Sequence, residues 1–236
     1  MHSRKLFLLF TFLFFSISQS IAQDYLRDTT YFDKAWNKCT KADYRYYRLM
    51  VYDTVTMPPA KLIRIIDYYK SGIPQMEKYV LANDTSQQAG LKAYYDVKGR
   101  PTTFYLYNYK YAKKFFDKLS PYLAKIEPCD SNADLKINLY RNGHIKSDGF
   151  YLSDDALGNC SCRKICTWNY YNPYNKRIMN LYDYKLGKKD GRAYLYYDNG
   201  KLWKEKYYKD GKKTGVWKKY KYDGSLRRTI HIKGTA

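Results

Sequence analysis

The C-terminal part of the chain alternates short runs of aromatic and apolar residues with polar turns. Such runs cover residues 192–198, 201–208 and 216–222. Aromatic and branched side chains suit the pleated surface of a sheet, so each run predicts a β-strand. Polar dipeptides follow the first and third runs, Asn199-Gly200 and Asp223-Gly224. Because Gly, Asn and Asp tolerate positive φ, each dipeptide predicts a two-residue type I′ hairpin turn.

These hairpins repeat along the sequence. Residues 187–210 align with residues 211–234 without a gap, with eight identities in 24 positions. The segments 187–191 and 211–215 both read Gly-Lys-Lys-x-Gly, and we expect them to turn the chain into the next hairpin. A fixed short period indicates that each unit is too small to bury its own apolar face, so that neighbouring units must stack.

Weaker copies of the pattern extend towards the N-terminus. A Tyr lies four residues before a Gly in several of them, and Asn142-Gly143 closes a more decayed copy. The period predicts about six units between residues 66 and 236, degenerate over 66–110 and 129–184 and clear over 185–236. The residues expected to maintain the repeat are Tyr68, Gly72, Tyr95, Gly99, Gly143, Tyr196, Gly200, Tyr220 and Gly224.

A different pattern interrupts the repeats. Apolar residues follow a helical spacing from Tyr111 to Ile126, and Ser120-Pro121 is typical of an N-cap followed by Pro in the first turn. This predicts a short helical insertion near 111–126, within a segment 111–128. With residues 23–65 leading into the sheet, the expected fold is all-β. Stacked hairpins would form an extended, twisted, mostly antiparallel single-layer sheet without a thick aliphatic core.

The N-terminus has the features of a secretory signal peptide over residues 1–22. Arg4 and Lys5 precede an apolar run over 6–15, and Ser20-Ile21-Ala22 supplies small residues for cleavage before Gln23. A ten-residue helix spans only about 15 Å, half of a bilayer core, so an uncleaved anchor is the less favoured alternative. We therefore expect an exported protein, periplasmic, outer-envelope associated or secreted, and not an integral membrane protein.

Positive charge is concentrated on the clear repeats. The whole chain has a net charge of +21, and residues 185–236 hold sixteen Lys or Arg against five Asp or Glu. Such a density attracts anionic surfaces. Envelope polyanions or a protein partner are the expected ligands. Nucleic acid is not expected, because an exported chain rarely meets it and no nucleic-acid module is visible.

Rings are interleaved with these lysines. In a strand over 216–222, Trp217, Lys219 and Lys221 would share one face, opposite Val216 and Lys218. One interpretation is structural, with Tyr rings stacking along the sheet and Lys stems covering them. The other is a binding surface of rings and cations. The predicted binding residues are Trp203, Lys204, Lys206, Trp217, Lys219 and Lys221.

Five cysteines follow the predicted cleavage point: Cys39, Cys129, Cys160, Cys162 and Cys166. The odd number leaves at least one thiol free or paired between chains. The spacing within 160–166 does not match common structural zinc sites, so a local disulfide that staples this segment is the favoured interpretation. The pairing itself stays open, and no metal or cofactor is expected.

No catalytic pattern is evident. Of the histidines, His144 follows a predicted turn and His231 occupies a strand position of the repeat, and neither lies in a nucleophile or metalloprotease motif. A non-enzymatic function is therefore expected. The cysteine-rich segment is the one place where an inserted active site would be sought.

Residues 215–226, with Gly215, Trp217, Tyr220, Gly224 and Leu226, resemble the MORN-variant repeat of YwqK-type antitoxin-like proteins. Segments 28–33, 46–48 and 67–72 are similar to the start of secreted repeat proteins of Gram-negative envelopes. The resemblance implies a β-hairpin repeat fold and an exported binding scaffold. As an alternative it implies a toxin-neutralising protein–protein module.

Overall fold

The computed structural model describes residues 27–51, 56–57, 60–107, 129–130, 133–152 and 163–232. Every regular element among these residues is a β-strand, and the chain divides into two compact units, residues 1–127 and 128–236. The predicted signal peptide over 1–22 and the helical insertion over 111–128 lie outside the described residues.

The N-terminal unit is an antiparallel sheet built from consecutive strands. Six of its strands pair in the order β1-β2-β4-β5-β6-β7, and β3 pairs with β4. The strands are β1 (Arg27–Phe32), β2 (Tyr46–Val51), β3 (Thr56–Met57), β4 (Ala60–Tyr69), β5 (Pro74–Leu81), β6 (Asp84–Tyr95) and β7 (Pro101–Tyr107).

The C-terminal unit is likewise antiparallel, and its strands pair in chain order from β8 to β15. They are β8 (Asp134–Leu139), β9 (Ile145–Leu152), β10 (Arg163–Tyr171), β11 (Ile178–Lys185), β12 (Lys188–Tyr196), β13 (Leu202–Lys209), β14 (Lys212–Tyr220) and β15 (Leu226–His231). The predicted all-β architecture of consecutive antiparallel hairpins is confirmed for the described residues.

The turns after β12 and β14 differ from the prediction of two-residue type I′ turns. Tyr197 N–H donates to the carbonyl of Lys201, and Gly200 N–H donates back to Tyr197, so the loop has three residues. Positive φ is confined to the Gly, whereas the Asn199 side chain accepts the N–H of Lys201 at 2.9 Å. This is the type I turn with a Gly bulge that the handedness of a hairpin also accepts. The same two backbone hydrogen bonds recur around Gly72, Gly99, Gly143 and Gly224.

Type I′ turns do occur, but at the opposite ends of the strands. Leu186 and Gly187 both have positive φ between the paired residues Lys185 and Lys188. Asp210-Gly211 repeats this arrangement one period later. The Lys residues after each Gly therefore already begin a strand, so the predicted connecting segments 187–191 and 211–215 are too long.

Four strands share a bulge in which three residues oppose one residue of the preceding strand. The bulges are in β6, β10, β12 and β14, opposite Tyr79, Gly149, Asp183 and Lys206. Each contains a residue of positive φ, respectively Gly90, Cys166, Gly191 and Gly215. Bulges bend a strand and increase its twist. The recurrence extends the repeat back to β6, beyond the two copies with clear sequence identity.

Tyrosine hydroxyls tie neighbouring hairpins together beside the turns. Tyr69 donates to the carbonyl of Tyr95 at 3.1 Å, and Tyr197 donates to that of Tyr220 at 2.9 Å. The donors lie three residues before a turn Gly. Of the predicted repeat tyrosines, which lie four residues before it, Tyr95 and Tyr220 supply the accepting carbonyls. The Tyr residues four positions before a turn Gly therefore mark the place where a hydrogen bond joins two neighbouring hairpins.

Aliphatic burial is uneven along the chain. The N-terminal sheet buries Ile63, Ile65 and Val80 on one face, with Ile66 and Leu106 on the other. In strands β12 to β15 the buried hydrophobic residue is Ala193. The expectation of no thick aliphatic core thus describes β12 to β15, whereas the N-terminal sheet and strands β8 to β10, with buried Leu135, Ile137 and Ile165, depart from it.

Two ion pairs are built into the N-terminal sheet. Arg48 Nε lies 2.6 Å from Asp67, and Arg64 Nε lies 2.6 Å from Glu77, with both carboxylate side chains 4% exposed. Burial alone would lower the pKa of Arg64, but the charge of Glu77, its hydrogen bond and the neighbouring Tyr79 and Tyr68 together raise it. Each buried carboxylate therefore depends on its arginine partner.

Loss of the Arg64 guanidinium should strongly destabilise the protein. We expect Arg64→Ala to lower the free energy of unfolding by about 3–5 kcal/mol, because Glu77 stays buried without its partner. Urea unfolding measures the effect. The matched control is Arg100→Ala, whose ion pair with Asp96 is more exposed and should contribute at most about 1 kcal/mol. Equal losses in both variants would contradict the argument.

Gly149 makes room for Trp168 in the β10 bulge. The indole Nε1 donates to the carbonyl of Phe150 at 2.7 Å, and a Cβ at position 149 would lie 2.4 Å from the ring. We expect Gly149→Ala to cost about 1–3 kcal/mol through overpacking. A double-mutant cycle with Trp168→Ala in urea unfolding checks this, because the penalty of Gly149→Ala should shrink once the ring is gone.

Candidate functional site

Lysines of strands β12, β13 and β14 share one face of the C-terminal sheet. Lys204 pairs with Lys219, and Tyr208 pairs with Lys213. Directly paired residues project to the same face, and so do residues two apart on one strand, which brings in Lys206. We call this surface the lysine face; it comprises Lys189, Lys204, Lys206, Lys213 and Lys219 with the rings of Tyr182, Tyr208 and Trp217.

The rings lie between the ammonium groups. Lys206 Nζ and Lys213 Nζ lie 4.9 Å and 5.5 Å from the centroid of the Trp217 ring. Lys189 Nζ lies 5.3 Å from the Tyr208 ring, which itself is 5.6 Å from Trp217. These distances permit cation–π attraction. Three strands thus direct their cations towards one pair of rings.

The β14 bulge positions Trp217 for this contact. The indole Nε1 donates to the carbonyls of Tyr207 and Thr214, at 3.2 Å and 3.1 Å. Tyr207 and Thr214 form the residue pair next to the β14 bulge. The corresponding pair next to the β10 bulge is Phe150 and Ile165, and there Trp168 Nε1 donates to the carbonyl of Phe150. The repeat therefore holds both indoles by the same device.

Carboxylates of β11 and β13 lie on the opposite face. Glu205 accepts hydrogen bonds from Tyr207 and Tyr220 and lies 3.6 Å from Lys218 Nζ. Asp183 lies 3.6 Å from Arg192 Nε. Within the described residues no lysine of the lysine face makes an ion pair. One face thus carries carboxylates that pair with some of its cations, whereas the charged side chains of the lysine face are all cations.

Crowding of positive charge shifts the lysine pKa values. Burial lowers the pKa of Lys206 most, and the charges of Lys204, Lys189, Lys213 and Lys219 lower it further. Burial and a neighbouring lysine also lower the pKa values of Lys204 and Lys189. An anion placed on this face would counteract the lowering of these pKa values, because an opposite charge favours the protonated form.

The structure brings together four of the six residues predicted to bind. Lys204, Lys206, Trp217 and Lys219 belong to the lysine face. Trp203 lies beside this face: its ring centroid is 6.0 Å from that of Tyr197 and 3.5 Å from Lys204 Nζ.

Lys221 lies in the turn after β14, where its N–H donates to Ser225. Sequence reasoning missed Lys189 and Lys213. Strand alternation alone does not identify them, because each bulge resets which residues face the same way.

The cysteines form a longer link than expected. Cys129 and Cys166 make a disulfide across 37 residues, so the expectation of a local staple within 160–166 is wrong for Cys166. Cys39 is a free thiol, and Cys160 and Cys162 lie outside the described residues. The described part of the chain contains no cluster of three or more potential metal ligands.

The two histidines beyond the predicted signal peptide occupy separate structural positions. His144 follows a turn, with Nδ1 2.9 Å from the carbonyl of Pro173, and His231 lies in β15 as predicted. Among the described residues, neither histidine is shown hydrogen-bonded to a Ser, Thr or Cys side chain.

No protein-family model and no curated protein matches this sequence. The resemblance to YwqK-type MORN-variant repeats therefore stays a prediction. No helix that could span a membrane occurs in the part of the chain that the structure describes.

The crowding of the lysine face can be measured directly. We expect the Lys206 ammonium to titrate below its ordinary pKa in an NMR experiment on labelled lysines, and Lys204→Gln to raise that pKa because one repelling charge is removed. Lys188→Gln on a neighbouring position of the other face should leave it unchanged. If the pKa of Lys206 were the same in the Lys204→Gln variant as in the unmodified protein, the proposed crowding of the lysine face would be contradicted.

Proposed function

We propose that the protein is an exported, non-enzymatic repeat scaffold whose lysine face binds an anionic component of the cell envelope. The observation that carries this proposal is the set of five lysines without a carboxylate partner on one face of β12 to β14, three of which lie beside the rings of Tyr208 and Trp217. The carboxylates of Asp183 and Glu205 lie on the opposite face, which makes this surface distinct within the C-terminal sheet.

The chemistry of the face suits an extended anionic surface. Lysine is a strongly hydrated point charge, which attracts phosphate or carboxylate groups without imposing a fixed bidentate geometry. The rings add amphipathic contact area beside the charges. Unpaired cations steer association, and their effect falls as salt rises. Binding through this face should therefore be tolerant of ligand shape and sensitive to ionic strength.

Export supports the choice of an envelope ligand. The predicted signal peptide directs the chain out of the cytoplasm. The Cys129–Cys166 disulfide is consistent with that direction, because such bonds persist in oxidising compartments. Phospholipid headgroups, lipopolysaccharide and acidic glycans are the polyanions available there.

Vesicle binding tests the proposal. The protein without residues 1–22 should sediment with phosphatidylglycerol vesicles at about 50 mM salt and much less at about 500 mM salt, because added salt screens the attraction. It should not bind phosphatidylcholine vesicles. The triple variant Lys204→Gln, Lys206→Gln, Lys219→Gln should lose at least about tenfold in affinity, since each lost surface contact contributes on the order of 1 kcal/mol.

A charge-matched variant separates the face from net charge. Lys188, Lys212 and Lys221 are exposed and lie outside the lysine face. Changing these three to Gln removes the same charge and should weaken binding by no more than about threefold. Equal losses in the two triple variants would reduce the interaction to general charge, and salt-independent binding would refute the electrostatic mechanism.

A further inference from the structure

Among the described residues, strand β15 has a neighbouring strand on one edge and none on the other. In the strand order of the C-terminal unit β15 comes last, and among the described residues it pairs with β14 alone. An open edge presents a row of unpaired N–H and C=O groups, which is a template for another strand.

The direction of each amide on β15 follows from one hydrogen bond. Ile232 N–H donates to the carbonyl of Gly215 on the β14 side, at 3.0 Å. Because amide directions alternate along a strand, the N–H groups of Ile230 and Arg228 also point towards β14. Those of Thr229 and His231 point outward, so the open edge offers these two donors.

The side chains of β15 define what the edge attracts. Arg227 and Arg228 are exposed neighbours, and Arg227 is the extra residue of a bulge opposite Lys219 and Tyr220, so the two guanidinium groups cluster at the start of β15. Neither makes an ion pair within the described residues. Lys219, which pairs with Arg228, extends the positive charge onto β14. A strand with acidic side chains would meet this cluster of cations when it pairs with the edge.

The same charges disfavour a second copy of the chain at this edge. Pairing two β15 strands would place four arginines in adjacent strands, whereas β15 itself contains no carboxylate. Like charges in neighbouring strands are destabilising, and opposite charges contribute roughly 0.2–1 kcal/mol per pair. Charged side chains on edge strands commonly prevent strand-to-strand aggregation. Here the positive charges also favour a partner strand that carries negative charge.

We propose that the outer edge of β15 binds an acidic polypeptide segment in extended conformation, as an added strand of the sheet. Backbone hydrogen bonds to Thr229 and His231 would hold the segment, and Arg227 and Arg228 would select it by charge. This is β-augmentation, a recurring mode of peptide recognition. It goes beyond the lysine face, because it uses a different surface and requires a polypeptide ligand.

A proline substitution tests the outward-facing N–H of β15 without changing the hydrogen bonds to β14. Thr229→Pro removes an outward N–H and leaves the pairing with β14 intact, since Pro is tolerated on edge strands when its missing donor faces solvent. The matched control is Thr229→Ala. The probe is an acetylated peptide of about ten residues, composed of Glu, Thr and Val with acidic residues on both faces, followed by fluorescence anisotropy. A peptide with Lys in place of Glu is the charge control.

The expected result has three parts. The Glu peptide binds the unmodified protein and the Thr229→Ala variant, and its affinity for Thr229→Pro falls at least about tenfold. The Lys peptide does not bind. Amide exchange of Thr229 and His231 slows when the Glu peptide is added, while exchange at Arg228 and Ile230 is unchanged. The exchange measurement uses the unmodified protein, so it does not depend on how the Pro variant folds.

Other outcomes would overturn the proposal. Equal binding of the Glu peptide to the Pro and Ala variants would show that the edge is not used. Loss of peptide binding in the Lys204, Lys206 and Lys219 triple variant alone would assign the peptide to the lysine face. A concentration-dependent dimer that Thr229→Pro abolishes would assign the edge to a second copy. No detectable binding of the Glu peptide, with vesicle binding retained, would refute the edge proposal and leave the proposed function standing.

Discussion

Two backbone positions with positive φ set the register of the repeat. One lies in the bulge and the other in the turn that follows, as in Gly90 with Gly99 and Gly191 with Gly200. Few side chains tolerate this conformation at low cost, so glycine recurs there. Register decides which face each side chain occupies, since a slip of one residue exchanges the two faces. The bulge and turn therefore fix where rings, lysines and carboxylates lie.

Non-glycine residues occupy the same backbone positions in the more divergent hairpin of β10 and β11. Cys166 takes the bulge position and Lys176 the turn position, both with positive φ. The Cys129–Cys166 disulfide covalently anchors one of these unusual conformations. The turn at Lys176 also contains one residue more than the turn at Gly200. The β10–β11 hairpin thus has the same backbone conformation as the other copies but no glycine at these two positions. For this reason the copy is difficult to recognise in the sequence.

Local patterns predicted the strands and the repeat, because strand propensity and glycine spacing act over short distances. They could not determine the loop length, since Asn199-Gly200 is compatible with two hairpin types and the choice depends on the pairing of Tyr197 with Lys201. The same limit applied to the site. Lys204 and Lys206 follow from alternation within one strand, whereas Lys189 joins them only through the register across a bulge.

The lysine face combines stabilisation with recognition. Strands β12 to β15 bury little aliphatic surface, so ring contacts and lysine stems must contribute to the packing that Ile63, Ile65 and Val80 provide in the N-terminal unit. A lysine can do both, because its methylene stem covers a ring while its ammonium group stays hydrated. The structural and binding interpretations of the Tyr and Lys pattern are therefore compatible. The ammonium groups of Lys189, Lys206 and Lys213 lie beside the rings of Tyr208 and Trp217, so the charges available to a ligand also contribute to the packing of these rings.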